Sequence, residues 1–408
     1  MATFKRAKAD LKERLKALND LLNRRLFMAS AGADYEAWLA SHQPFHWLAE
    51  FYEIINGNGC FDVIIGNPPY VGYTRKNKET GKAVCELYRV QNLSTLPTSN
   101  LYAFTIERSH IIMHKKAKVG MIIPISAFAN DSMVELQDLI KCDFADLYIS
   151  TFHQRPAQLF AGVLQRLSIF IASKNATNII YTTGINRWYE ETRINLFKNL
   201  SYLSINQSKQ KHIVKVGADV EASIFEKYSK EKLISYYIGG NSAANRIFYR
   251  TAGGGYWVTF LNNEFDCVSV SNKHTYIKPE YKSKVLTAIL NSNLFWWYYS
   301  VNYDLFNFKD YMVFGFQFSY DVDTKDLETI AGLSDKMEDN LRINALYYTI
   351  NSKTNGATQT VTYRKQQSKV VMDEIDKVLA RHYGFTEEEL DFIINYDIKY
   401  RMGDELGE

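Results

Sequence analysis

The sequence predicts an α/β protein, a partial doubly wound sheet followed by a mixed α/β region that ends in helices. Three observations carry this. Short apolar runs at 62–65, 119–126, 145–151 and 167–173 alternate with helical patterns over 99–114 and from Asp131 onward. The texture then changes after about residue 175: six of the seven prolines lie at or before Pro156, and the later chain is rich in Tyr, Asn, Ser and Lys. Finally, 369–382 and 386–396 read as two helices, the second opened by a Thr386–Glu389 capping pair.

Taken in order, residues 5–27 form an amphipathic helix with Leu11, Leu15, Leu18, Leu22 and Leu26 on one side. Its basic face reads as the solvated side of a packed helix rather than a DNA-binding arm. Strands then alternate with helices up to 173, and continuous apolar strands of this kind build parallel or mixed sheets. The resulting division is 1–40, a helical segment; 41–195, the sheet-bearing domain; and 196–408, a second domain with the terminal helices.

Composition restricts the function classes. Of 408 residues, 46% are apolar and 23% charged, as in a globular protein with a sizeable core. A net charge of +3 does not by itself argue for nucleic acid. The four cysteines, Cys60, Cys85, Cys142 and Cys267, form no CxxC pair, so a zinc site or disulfide framework is not expected and a reducing cytoplasm fits. No signal peptide opens the chain, and the apolar stretch 293–318 is broken by Asn302, Asp304, Asn307, Lys309 and Asp310, which excludes a membrane span there.

The stretch "FDVIIGNPPYVGY" (61–73) carries the chemistry. Asn67 sits just past the carboxyl end of a strand, where ligands bind in α/β sheets. Its side-chain oxygen and the Pro68 carbonyl are two adjacent acceptors, suited to an amino group with two hydrogens. Pro69 restricts Pro68 and so aims that carbonyl in advance. Tyr70 offers a flat face on which an extruded base can stack. The bland alternative is a proline-stiffened turn without chemistry; the full sequence of strand, Gly, Asn-Pro-Pro-Tyr favours the site.

With these residues the chain resembles the adenine-N6 DNA methyltransferases of restriction–modification and phage-defence systems, especially the large single-chain (Type IIG-like) enzymes. The resemblance implies that Asn67 and the Pro68 carbonyl hold the target amine while Tyr70 stacks on the flipped adenine. Pro69 and Phe152 would be substrate-binding. "HQPFHWLAEFYEI" (42–54), "SNLYAFTIERS" (99–109), "VGMIIPISAF" (119–128) and "FHQRPAQLFAGVLQRLSIFIAS" (152–173) look like the segments around the family's catalytic motif. "IFYRTAGGGYWVTF" (247–260), "LTAILNSNLFWWYYS" (286–300) and "HYGFTEEELDFII" (382–394) resemble its target-recognition region and terminal helices.

One departure stands out. The family's Gly-rich loop for S-adenosyl-L-methionine, and the acidic residue that holds the ribose, do not precede Phe61. The first strands of a Rossmann-like methyltransferase sheet are therefore expected to be missing from this chain, carried either by a partner polypeptide or by a longer chain of which this is a fragment. The resemblance then implies double-stranded DNA as substrate, a complementing subunit that carries the cofactor loop, and no activity without it. The rival readings are a DNA-recognition or specificity subunit of a restriction or phage-defence complex that does no chemistry itself, and an inactive remnant or scaffold for defence-complex assembly.

Other candidates read as structure. Phe295 to Tyr299 are expected to fill a core, and Gly253 to Tyr256 to form a tight turn rather than a phosphate cradle. His153 is a weak candidate for an acid or base. Lys209, Lys211, His212, Lys215, Arg246 and Arg250 are scattered enough to suggest a solvated surface rather than phosphate contacts.

Overall fold

The computed structural model describes residues 2–30, 33–174, 179–207, 210–251, 257–306, 308–352 and 356–402. Gly253 to Tyr256 and Lys209 lie outside these. The chain forms two compact units, one of 1–149 and 167–181, the other of 150–166 and 182–408. The principal helices and strands are labelled here in chain order.

The first unit opens with α1 (Ala2–Met28) and α2 (Tyr35–His42), the latter capped by Asp34, whose carboxylate accepts from the Ala37 amide at 3.0 Å. The C-terminal half of α1 is anchored: Asn19 donates to Glu50 at 2.8 Å, Asn23 meets the His46 ring at 2.7 Å, and Phe27 packs edge-on against Trp38. Its leucine stripe is only partly covered. Leu15 and Leu22 are half-buried while Leu11, Leu18 and Leu26 are exposed, so the expected packed helix is only half packed within this chain.

Next come β1 (Phe61–Gly66), α3 (Leu101–Ile111), β2 (Met113–Pro124), α4 (Val134–Asp143), β3 (Ala145–Phe152) and β4 (Leu167–Ser173). Within the unit the strand order is β1-β2-β4-β3. β1 and β2 run parallel, with Ile64 opposite Val119 and Gly66 opposite Met121; the pairing needs a crossover, which the segment containing α3 supplies. β2 and β4 are antiparallel, so the sheet is mixed. β2 starts six residues earlier than its apolar run suggests, because the Lys-rich stretch 115–118 extends it. Core side chains such as Phe104, Ile106, Ile123, Leu136 and Phe170 are buried.

β1 is the outermost strand, and Val63 and Ile65 are 68% and 85% exposed. Before it, Phe45, Trp47 and Phe51 gather against one another and onto Phe61, which gives the aromatic lead-in of the sequence its role.

In the second unit the end of β3 is followed in the sheet by β5 (Ile180–Asn186) and β6 (Leu203–Ser204). A three-stranded sheet has the order β8 (Phe260–Leu261), β7 (Arg246–Arg250), β9 (Asn272–Tyr276). The unit also contains α5 (Asp219–Tyr228), α6 (Ser283–Leu290), α7 (Asn293–Asn302), α8 (Thr324–Ile343), α9 (Lys369–Tyr383) and α10 (Glu387–Asn395). Strands β10 (Ala345–Ser352) and β11 (Gly356–Tyr363) pair only with each other. The rings of Phe295 to Tyr299 are all buried, as their run on a helix leads one to expect. Thr386 and Glu389 form the expected capping box on α10. No helix of the described residues is long and apolar enough to cross a membrane.

Candidate active site

Asn67 follows the last residue of β1 directly. It is exposed, and its side-chain amide makes no hydrogen bond among the described residues. Pro68 is buried and Pro69 exposed, so the chain turns outward between the two rings. Tyr70 is half-buried, and its hydroxyl donates to the Ile122 carbonyl at 2.8 Å, one residue beyond the last β1–β2 pair. The carbonyl is thus satisfied by a side chain where the neighbouring strand has ended. Burial pushes the Tyr70 phenol up to about 12, so it stays a neutral donor at physiological pH.

The chain leaving the tetrapeptide is laced to the start of α3. The Leu101 amide donates to the Val71 carbonyl at 3.0 Å and the Tyr73 amide to the Ser99 carbonyl at 2.8 Å. In the first turn of α3, Tyr102 meets the Tyr70 ring edge-to-face at 6.2 Å between centroids. Tyr102 is itself buried, with its hydroxyl on the Met133 sulfur at 3.2 Å. Further along, burial would lift the Glu107 carboxyl. The Thr95 hydroxyl and the Ser94 and Thr95 amides, all within 2.9 Å, instead hold it below its ordinary value. The site therefore rests on a pinned scaffold, while the Asn67 amide makes no hydrogen bond among the described residues. Tyr102 and the Ile122 carbonyl are supports that sequence reasoning missed: a tyrosine in a helical pattern and a strand carbonyl carry no distinguishing signal.

Asn67, Pro68, Pro69 and Tyr70 stand together by chain continuity. Phe152 belongs to the second unit, where it is fully buried with its ring edge-on to Trp188 and Phe197. Beside it, His153 is also buried and receives the Arg155 amide on Nδ1 at 3.1 Å. Burial first, then the Arg187 and Arg166 charges, pull its pKa down to about 2, so it is no proton acceptor at neutral pH.

The described residues do not fit S-adenosylmethionine. β1 is the outer strand of its sheet, so no described strand delivers a glycine turn beside Asn67. The glycines that most closely precede β1 in the chain are Gly57 and Gly59, with Gly57 closing a π-helical turn at Glu53–Gly57 and Gly59 in a left-handed bend at φ 75°. Neither lies between a strand and a helix N-terminus, the arrangement that cradles such a ligand.

Of the basic residues, Lys215 is not on the surface: it is 1% exposed, its ammonium has no hydrogen-bond partner, and burial pulls its pKa down to about 7. His212 is buried as well. The apolar residues on either side of Lys215, Val214 and Val216, carry it into the core.

Comparison with known proteins agrees with the motif. Residues 2–160 match the family model of the Eco57I restriction-modification methylase. Among solved structures, the chain is similar to the Type IIL restriction-modification enzyme MmeI in complex with DNA, with 12% identity, a TM-score of 0.42, and coverage of 84% of this chain and 57% of that one. It is also similar to the Type I restriction enzyme EcoKI M protein, at 12% identity and a TM-score of 0.25, covering 70% of this chain and 51% of that one. A third is a modification subunit of a putative type I restriction enzyme from Vibrio vulnificus, at 10% identity and a TM-score of 0.26, covering 39% and 35%. The chain thus spans between about a third and three-fifths of the length of these structures. No curated protein matches it in sequence. Through its first 160 residues, motif and lead-in included, the chain is similar to the Eco57I restriction-modification methylase family.

Proposed function

We propose that the chain is the amine-holding and DNA-recognition part of a site-specific DNA adenine-N6 methyltransferase. The observation that carries this is Asn67, an exposed amide with no partner of its own, set at the carboxyl end of β1 on a scaffold pinned by Tyr70. The Asn67 oxygen and the Pro68 carbonyl accept the two hydrogens of an exocyclic amine. That leaves the nitrogen lone pair, otherwise conjugated with its ring, directed at an electrophile. Pro69 fixes the backbone, and Tyr70 stacks on the extruded adenine. No strong base is needed beside the amine, because the proton can leave after the nitrogen has reacted. Phe152 takes no role in this reading, since its ring is fully enclosed.

The methyl donor, S-adenosylmethionine, is held by a complementing polypeptide seated on the β1 edge, where exposed Val63 and Ile65 otherwise leave an open apolar strand. The poor fit of the described glycines before β1 to such a donor is also compatible with a second reading, a specificity subunit that binds DNA without chemistry. Incubating the chain, a candidate donor-binding partner, S-adenosylmethionine and duplex DNA, followed by nucleoside analysis, separates the two. N6-methyldeoxyadenosine supports the first; specific binding with no methylated nucleoside supports the second.

A further inference from the structure

We propose that the two-stranded ribbon β10–β11 is a sequence-reading element that enters the major groove of duplex DNA. Each strand has eight residues, so the ribbon is about 27 Å long at ~3.4 Å per residue. Among the described residues it pairs with no other strand. Its register puts Thr349 opposite Gln359 and Asn351 opposite Ala357 on one face, and Tyr348 opposite Thr360 and Ile350 opposite Thr358 on the other. Thr349, Ile350, Asn351, Ala357, Thr358 and Gln359 are exposed, so both faces of the outer half are bare. An isolated hairpin is marginal in water, and one bare on both faces calls for something that surrounds it.

The root, by contrast, is fixed. Tyr347 and Tyr363 both donate to Asp266, at 2.7 and 3.0 Å, and the Arg342 guanidinium pairs with the same carboxylate. Val361 is buried, and Arg250 donates to its carbonyl at 3.3 Å. A fixed root with an open outer half is the geometry of a lever held out from the unit. What it meets is indicated by charge: no acidic residue occurs between Asp339 and Asp373, so the ribbon's own strands carry nothing that repels phosphate, and the Asp266 carboxylate at its root is paired with Arg342. Shape agrees, because a major groove about 12 Å wide admits a two-stranded ribbon. On the polar face, Gln359 and Asn351 carry the carboxamides that pair with adenine edges, and Thr349 adds a hydroxyl.

This inference rests on duplex DNA as the substrate in the reading above, but not on the methylation chemistry. The test is selection of binding sites by the full chain from duplexes with a randomised window. The wild type is expected to enrich a motif. A Thr349→Val/Gln359→Ala variant, both changes being at exposed positions, is expected to melt as the wild type does. It should enrich a motif degenerate at one or two adjacent base pairs and bind the original motif about ten- to a hundredfold more weakly. Asn67→Ala is expected to enrich the wild-type motif unchanged, which separates reading from methylation. Three results would overturn the proposal. In the first the wild type enriches no motif; in the second the ribbon variant retains the wild-type motif and affinity. In the third, Leu346→Lys/Ile350→Lys disrupts a purified protein complex while the motif is unaltered, which makes the ribbon a protein-docking face. N6-methylation that persists while the ribbon test fails leaves the functional reading standing.

Discussion

The Tyr70 hydroxyl donates to the Ile122 carbonyl over 2.8 Å, tying the ring after the two prolines to the strand beside β1. The bond fixes the ring that is proposed to stack on the base, so ring and hydroxyl are separable by substitution. Tyr70→Phe keeps the stacking face and loses the tether, at a cost of about 1 kcal/mol in stability. Tyr70→Ala loses both. Methyl transfer should fall modestly in the first and by at least tenfold in the second. Equal activity in the two variants would show that the ring has no stacking role. In ultraviolet titration of the folded chain, Tyr70 should ionise only near pH 12, unlike an exposed tyrosine.

The open β1 edge gives a second expectation. Val63 and Ile65 are 68% and 85% exposed on an unpaired side of the sheet. Ile65→Lys should abolish assembly with a donor-binding partner in analytical sedimentation while leaving the melting temperature of the lone chain within about a degree. A complex that forms equally well with Ile65→Lys would place the partner elsewhere.

Lys215 makes a pH-dependent prediction. Its ammonium is buried without a hydrogen bond, and burial lowers its pKa from 10.5 to about 7. Between those values the unfolded chain binds the proton and the folded chain does not. The group therefore destabilises fully below pH 7, and the penalty fades as pH rises toward 10.5. Lys215→Met should raise the melting temperature most at pH 6 and progressively less at pH 8 and 9. A gain that is constant with pH would mean the ammonium is solvated in the folded chain.

Gly217 tests packing in the second unit. A Cβ there would lie 2.5 Å from the Gly184 amide nitrogen and 3.1 Å from the Ser201 carbonyl oxygen, both backbone atoms that cannot step aside. Gly217→Ala should destabilise by about 1–3 kcal/mol, read as a lower denaturant midpoint. Gly332→Ala, which meets nothing within 4 Å, is the control and should not destabilise.

Much of this was legible from local pattern. The strand at 61–66, the motif after it, β3, β4, α9 and the capping box of α10 all follow from apolar runs and capping residues in the sequence. What escaped has physical reasons. The start of β2 is Lys-rich because its outer residues are exposed, so no apolar run marks it. The antiparallel pairing of β2 with β4 is a tertiary choice that apolar strands do not encode. The β10–β11 ribbon alternates poorly because both faces of its outer half are bare, and amphipathic pattern arises only where one face is buried. Lys215 read as a surface residue because its burial depends on Val214 and Val216 packing into a core built mostly from later helices. At the site, Asn67 and Tyr70 were visible because their chemistry is written in consecutive residues. Their support by Tyr102 and Ile122 was not, because it comes from separate elements.

The central claim is that Asn67 holds the amine that is methylated. Its most direct test is transfer of a labelled methyl group to duplex DNA by the chain with its donor-binding partner, comparing wild type with Asn67→Ala. Asn67→Ala should bind the same DNA and assemble with the same partner while losing a hundredfold or more of the transfer, the scale of removing one oriented polar group from a reacting centre. Transfer by Asn67→Ala at the wild-type rate would contradict the account.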